Sequence, residues 1–143
     1  MNRIAQFERA FQETERPWRP STFRTRSRWQ SFSYAFQGLR DAWDTQVNLR
    51  LQAYAGLGAV ALGAYLGLSL IEWLWVSFAI GLVIFAELMN TAIEQTVDLV
   101  VGLRPDPLAR QVKDMAAGSV LIAAAIAVVI GCLTFGPHLL SAG

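Results

Sequence analysis

Residues 73–100 read WLWVSFAIGLVIFAELMNTAIEQTVDLV, and this stretch decides the fold class. Its first half carries no charge, whereas its second half contains Glu87, Asn90, Glu94 and Asp98. Residues three, seven and eleven positions after Glu87 point in nearly the same direction on an α-helix. Ionisable groups inside a membrane are costly, and they usually mark a functional site. The stretch therefore predicts a membrane-spanning helix with one polar stripe.

The composition of the whole chain agrees with a membrane protein, since 54% of its 143 residues are hydrophobic and the mean hydropathy is +0.36. Three segments have the length and apolar character of transmembrane helices, at about residues 51–71, 73–101 and 115–140. At about residues 24–48, apolar residues recur every three or four positions with charged residues between them, which is typical of an amphipathic surface helix. We therefore predict an all-α membrane protein with three transmembrane helices and an N-terminal surface helix.

Positive charge is concentrated on one side of the predicted membrane. Residues 1–22 form a basic segment that we expect to be a poorly ordered tail, ahead of a membrane-embedded domain at 23–143. The loop between the second and third spans carries Arg104, Arg110 and Lys113, whereas the turn between the first two spans has neither Lys nor Arg. The positive-inside rule then places the N-terminus in the cytoplasm and the C-terminus outside. The net charge of +1 gives no overall positive field for nucleic acid.

The polar stripe has more than one functional interpretation. It could be a proton or cation pathway in a small oligomer, a site of phosphoryl transfer to a lipid, or a structural element of a membrane adaptor. Phosphoryl transfer needs a divalent metal on carboxylate oxygens, cations for the phosphates and a base near the attacking hydroxyl. Glu87 is the deeper carboxylate, near a lipid hydroxyl, and Glu94 is nearer the water, where a metal–nucleotide complex arrives. The residues alone leave these interpretations open.

Two stretches carry a specific combination of motifs. AELMNTAIEQTVDLV (86–100) contains E-x-x-N-x-x-x-E-x-x-x-D, and LARQVKDMAAGSVLIAA (108–124) contains a K-D pair where the next span begins. Together with FSYAFQGLRDAWDTQVNLR (32–50), they resemble the small prokaryotic diacylglycerol kinase family, which includes undecaprenol kinases. The resemblance implies a homotrimer of three-span subunits that transfers the γ-phosphate of MgATP to the hydroxyl of diacylglycerol or undecaprenol. The P-loop and protein-kinase motifs are absent from the sequence, as they are from this family.

The resemblance also implies a role for each matched residue. Glu87 corresponds to the general base toward the lipid hydroxyl, Asn90 supports that site, and Glu94 corresponds to the glutamate that holds Mg²⁺ on the nucleotide. Nucleotide contacts are implied for Tyr34, Asp106, Lys113 and Asp114, and lipid contacts for Arg40, Trp43 and Arg50 besides Glu87.

Three positions depart from the family pattern. Gln46 stands where the family commonly has a second metal-binding glutamate, so only an amide oxygen is available there for Mg²⁺. Gln52 replaces an acidic or histidine residue, and Asp106 stands in place of a histidine before the third span. Neither the lipid acceptor nor the choice of ATP over GTP follows from these residues.

Overall fold

The computed structural model describes residues 28–102 and 104–141. All the regular secondary structure in these ranges is α-helix, which confirms the predicted all-α class. The four helices are α1 (Arg28–Thr45), α2 (Val47–Leu66), α3 (Leu70–Val101) and α4 (Pro107–Ser141). The predicted tail at 1–22 lies outside the described residues, so its separation from the domain at 23–143 stays a prediction.

Helix α1 corresponds to the surface helix that the sequence predicted at 24–48. The chain divides into two compact units between Phe36 and Gln37, within α1, and the first unit contains the helix up to Phe36. In that part the aromatic side chains are exposed, as expected for the apolar face of a surface helix. The helix ends earlier than predicted because Gln46 adopts an extended conformation, with φ −101° and ψ 110°.

The guanidinium of Arg50 closes the end of α1. Its Nη1 donates to the backbone carbonyl oxygens of Trp43 and Asp44 at 2.8 and 3.1 Å. The last carbonyls of a helix lack partners within the helix, and a cation near them also interacts favourably with the helix dipole. Arg50 in the first turn of α2 therefore stabilises the junction between α1 and α2.

The connection between α2 and α3 is a tight turn at residues 67–69. Gly67 has a positive φ of 70°, the left-handed conformation that ends many helices, and its N–H bonds the carbonyl oxygen of Gly63. Ser69 and Glu72 then form a capping box in which each side chain accepts from the other residue's backbone N–H. Glu72 therefore lies inside α3. Helix α3 thus begins a few residues before the second predicted span, which was placed at about residue 73, because its polar capping residues precede the apolar segment.

Helix α4 begins before the third predicted span, which was placed at 115–140. Asp106 Oδ1 accepts hydrogen bonds from the backbone N–H groups of Leu108 and Ala109, at 2.7 and 3.0 Å. Proline is well suited to the first position of a helix, because its missing N–H would have no helical partner there. Asp106 and Pro107 therefore start the helix about two turns before the apolar segment.

Helices α3 and α4, of 32 and 35 residues, are both long and apolar enough to cross a membrane. Among the described helices, α2 does not reach the same mean hydropathy, because Arg50 and Gln52 lie near its start and Tyr54 and Tyr65 farther along. Two of the three predicted spans thus have matching apolar helices. The first span, at 51–71, stays a prediction.

Helix α3 packs against both α2 and α4, with the more extensive contact to α4. The contact with α2 depends on glycine: the position of a Cβ on Gly56 would lie 3.1 Å from Ile80 Cγ2. Small residues let apolar helices approach closely. At the far end, His138 Nε2 of α4 lies 2.9 Å from Glu72 Oε1, which links the end of α4 to the start of α3. This arrangement places one face of α3 in the interior.

Candidate active site

The polar stripe of α3 passes from the interior to the surface. Glu87 and Asn90 are buried, with exposures of 3% and 8%, Glu94 is half-buried, and Asp98 is exposed. Asn90 Nδ2 donates to Glu94 Oε1 at 3.3 Å, so these two residues are in direct contact. The order of depth agrees with the sequence analysis, in which Glu87 was the deeper carboxylate and Glu94 the one nearer water.

Glu87 has a hydrogen-bond donor on the neighbouring helix. Gln52 Nε2 of α2 donates to Glu87 Oε2 at 3.0 Å. Sequence analysis noted Gln52 only as a departure from the family pattern and did not pair it with Glu87. The available signal was a polar side chain in an otherwise apolar segment, but the partner depends on how α2 packs against α3.

Two buried acceptor atoms near the stripe lack a hydrogen-bond partner among the described residues: Gln52 Oε1 and Asn90 Oδ1. A buried polar atom without a partner costs about 1–3 kcal/mol. Such atoms in a native structure call for an explanation, and a bound group is a common one. Mg²⁺ is usually held by one or two carboxylates together with phosphates of the substrate. Asn90 Oδ1 beside the Glu94 carboxylate fits that donor set.

No group of three or more His, Cys, Asp or Glu side chains within residues 28–102 and 104–141 could hold a metal ion. Gln46, the other predicted ligand, donates from Nε2 to Thr45 Oγ1 at 3.3 Å. The structure places Gln46 at the α1–α2 junction, and no hydrogen bond joins it to Glu94.

A polar cavity of about 340 Å³ lies where α3 ends and α4 begins. It brings together the predicted nucleotide contacts Asp106, Lys113 and Asp114, and it adds Arg104 and Arg110. Sequence analysis had used these two arginines only to orient the chain. Three cations around one cavity are suited to phosphate groups, which both Lys and Arg bind.

Asp98 also lines the polar cavity and pairs with Lys113: Lys113 Nζ lies 2.5 Å from Asp98 Oδ1. Arg110 Nε lies 3.7 Å from Asp114 Oδ2, in an exposed i, i+4 pair. Exposed pairs of this kind contribute little to stability. Arg110 and Lys113 are therefore paired with carboxylates that a phosphate group could replace.

The predicted lipid-contact residues have structural partners. Arg40 Nε lies 4.0 Å from Asp44 Oδ2, with both side chains exposed. The Trp43 ring meets Tyr54 edge-on, with 6.0 Å between ring centroids, and Arg50 binds the last carbonyls of α1. Contact of these residues with lipid stays a prediction, as does contact of Tyr34 with nucleotide.

A second cavity, also about 340 Å³, is an apolar groove between α2, α3 and α4. Gln52 is the one polar side chain among the residues that line it; the others are mainly small or aliphatic, such as Gly56, Ala79, Val83 and Ala127. The groove thus has a single hydrogen-bonding group, and that group is bonded to Glu87.

Comparison with known proteins shows the family of the chain. The family model described as prokaryotic diacylglycerol kinase matches residues 33–135, which include Gln52, the stripe of α3 and Lys113. The chain belongs to the prokaryotic diacylglycerol kinase family. The resemblance stated from the motifs is confirmed, and this is a membrane-bound family of lipid kinases.

Curated relatives of this kinase differ in the acceptor that they are named for. This chain is 40% identical over 110 residues to the undecaprenol kinase of Bacillus subtilis strain 168, and the match covers 77% of this chain and 89% of the relative. This chain is also 40% identical over 111 residues to a diacylglycerol kinase of Synechocystis, and the match covers 78% of this chain and 63% of the relative. Identity to the diacylglycerol kinase of Escherichia coli K12 is 33% over 105 residues, and the match covers 73% of this chain and 85% of the relative. The relatives support a lipid kinase without separating the two acceptors.

Proposed function

We propose that this kinase transfers the γ-phosphate of ATP, bound with Mg²⁺, to the hydroxyl of a membrane lipid, either diacylglycerol or undecaprenol. The observation that carries the proposal is the polar stripe of α3. It runs from the buried Glu87 to Asp98 at the edge of the polar cavity, which also contains Lys113. A lipid hydroxyl inside the membrane and a soluble phosphate donor outside it can meet along such a stripe.

Glu87 acts as the general base. The lipid hydroxyl oxygen forms a bond to the γ-phosphorus while the bond from that phosphorus to the bridging oxygen breaks, and its electron pair leaves with ADP. The hydroxyl proton passes to the Glu87 carboxylate. Glu87 is buried and hydrogen-bonded to Gln52, which lines the apolar groove, and this supports the role because a lipid-borne hydroxyl could reach such a position from the membrane.

Glu94 would hold Mg²⁺ on the nucleotide, with Oδ1 of Asn90, which has no hydrogen-bond partner among the described residues, as a second oxygen donor. When bound, the metal offsets the negative charge of the phosphates. Gln46 contributes a further amide oxygen if the α1–α2 junction approaches the nucleotide. The half-buried position of Glu94, between Glu87 and the polar cavity, supports its assignment.

Lys113 contacts the phosphates of the nucleotide, and Arg104 and Arg110 offset the remaining negative charge. In the structure Lys113 is paired with Asp98, so binding exchanges a carboxylate for a phosphate. Asp114, Asp106 and Tyr34 complete the nucleotide contacts in this proposal. The common cavity around Arg104, Arg110 and Lys113 supports the arrangement.

The proposed assembly is a homotrimer in the bacterial inner membrane, with α2, α3 and α4 as spans and α1 at the cytoplasmic surface. The N-terminus lies in the cytoplasm and the C-terminus outside, in accordance with the positive-inside rule. Large apolar side chains are exposed along α2, α3 and α4, which supports burial of these surfaces by lipid or by neighbouring subunits. Arg40, Trp43 and Arg50 lie where α1 would meet the lipid headgroups.

The test is transfer of labelled phosphate from MgATP in mixed micelles, with diacylglycerol and undecaprenol offered side by side. Glu87→Gln should lower the rate about 10²- to 10⁴-fold, because the base is lost while the shape is kept. Glu72→Gln is the matched control: it makes the same change in the same helix, at the end remote from the polar cavity, and should retain activity at a temperature where the variant is folded.

The outcome separates the interpretations of the stripe. Transfer to one lipid, lost in Glu87→Gln and kept in Glu72→Gln, would establish both the reaction and the acceptor. A purified, folded chain that phosphorylates neither lipid would refute the proposal. The next measurement would then be proton or cation flux in vesicles, since the same carboxylates are suited to an ion pathway.

A further inference from the structure

The Gln52–Glu87 hydrogen bond joins two helices at the proposed base. The amide nitrogen of Gln52 faces Glu87, and it donates to a carboxylate oxygen, which accepts. The bond of 3.0 Å runs from Nε2 to Oε2 and thereby occupies one of the two carboxylate oxygens. The other oxygen of Glu87 has no such bond to Gln52. The interaction therefore fixes which carboxylate oxygen is available to a substrate.

Gln52 also stands at the polar end of the apolar groove. Its neighbours in the groove on α2 are Ala55, Gly56 and Ala59, which follow one face of the helix away from the α1–α2 junction. A volume of about 340 Å³ is within the range of small-molecule sites, and the small residues leave room for a hydrocarbon chain. A lipid chain in this groove would bring its hydroxyl to Gln52 and hence to Glu87.

We infer that Gln52 is a positioning residue for phosphoryl transfer. It holds the Glu87 carboxylate from α2, so that one oxygen faces the hydroxyl of a lipid whose chain occupies the groove. The inference rests on the proposed function and deepens it. It also gives a role to a position where the chain departs from the family pattern.

An amide suits this role because it donates a hydrogen bond at every pH and has no proton to lose. A glutamate at position 52 would place a second titrating carboxyl beside Glu87. Two carboxyl groups at hydrogen-bond distance share one proton and titrate as a pair. While the pair keeps one proton, the carboxyl introduced by Gln52→Glu could still donate to the Glu87 carboxylate. Once that proton is lost, the two charges repel and the base is no longer held.

The test compares Gln52→Met, Gln52→Glu and the control Gln95→Met in the micelle assay, with the acceptor that the wild-type chain uses. Gln95 is exposed on α3, and Gln95→Met makes the same chemical change away from Glu87. We expect Gln52→Met to lower kcat about 10- to 100-fold, the effect of losing a hydrogen bond to a charged group, with an unchanged KM for MgATP. We expect Gln52→Glu to retain activity near neutral pH and to lose more of it on the alkaline side than the wild-type chain does. Gln95→Met should match the wild-type chain.

The outcomes separate this inference from the proposed function. If the wild-type chain is active and Gln52→Met keeps its kcat within twofold, the positioning role is refuted. A Gln52→Glu variant with the wild-type pH profile would also refute it. If Gln52→Met shows no thermal transition, it has not folded, and the Gln52→Glu result then decides the question. If the wild-type chain phosphorylates neither lipid, the proposed function fails, and the inference fails with it.

Discussion

Gly63 lies where α2 meets the start of α3, and replacing it with alanine tests the packing of these helices. An added Cβ would lie 2.9 Å from Leu68 Cδ1 and 3.1 Å from Trp73 Cη2. The leucine can rotate, but the indole is rigid, so the helices must separate by a few tenths of an ångström. Overpacking of this kind costs about 1–3 kcal/mol. Alanine recovers about 0.5–1 kcal/mol of helix propensity over glycine.

Gly58 in the same helix is the matched control, because a Cβ there would meet nothing within 4 Å. The gain in helix propensity is common to both variants, so their difference isolates the packing cost. Gly63→Ala should therefore be about 1–3 kcal/mol less stable than Gly58→Ala. The assay is equilibrium unfolding of the purified chain in mixed micelles, followed by helical circular dichroism. Equal stabilities, or a more stable Gly63→Ala, would refute the packing argument.

Three further predictions concern the site and the link between helix ends. Lys113→Met should raise the KM for MgATP about tenfold or more, because a charged hydrogen bond to phosphate is lost. An unchanged KM in a steady-state titration would contradict the assignment of Lys113 to the nucleotide phosphates. Gln46→Glu should lower the Mg²⁺ concentration that gives half-maximal rate, since a carboxylate is a stronger Mg²⁺ ligand than an amide. If a metal titration gives the same half-maximal concentration for both chains, residue 46 does not bind the metal. His138→Leu should lower the melting temperature because it removes the 2.9 Å contact with Glu72. His138→Gln can still donate a hydrogen bond and should restore part of the lost melting temperature. Equal melting curves for the wild-type chain and both variants would show that the contact is not stabilising.

The fold class and the depth of the carboxylates could be predicted because both follow from periodicity along one helix. Glu87, Asn90 and Glu94 share a face of α3 whatever its neighbours are, and the apolar residues before them determine which end is deeper. The grouping of Asp106 with Lys113 in one cavity also depends on local sequence, since a short loop joins the two helices. These features need only helix geometry and the positions of polar residues.

The contacts between helices could not be predicted in the same way. The pairing of Gln52 with Glu87 and of His138 with Glu72 depends on the register in which α2 and α4 pack against α3. Register is set by shape, as at Gly56 and Gly63, and hydropathy does not report it. The helix ends were misplaced for a different reason: capping residues such as Ser69 and Asp106 are polar and extend a helix beyond its apolar segment.

The polar cavity at the α3–α4 connection has one more consequence. Its ionic side chains balance: Arg104, Arg110 and Lys113 face three carboxylates from Asp98, Asp106 and Asp114. Lys113 is already paired with Asp98 and Arg110 with Asp114, so phosphate groups of MgATP would replace a carboxylate at each of these two cations. Binding would then be a partner exchange there, and the net gain in free energy would be smaller than at cations without a carboxylate partner. The pairing would thus moderate the affinity of the enzyme for its nucleotide.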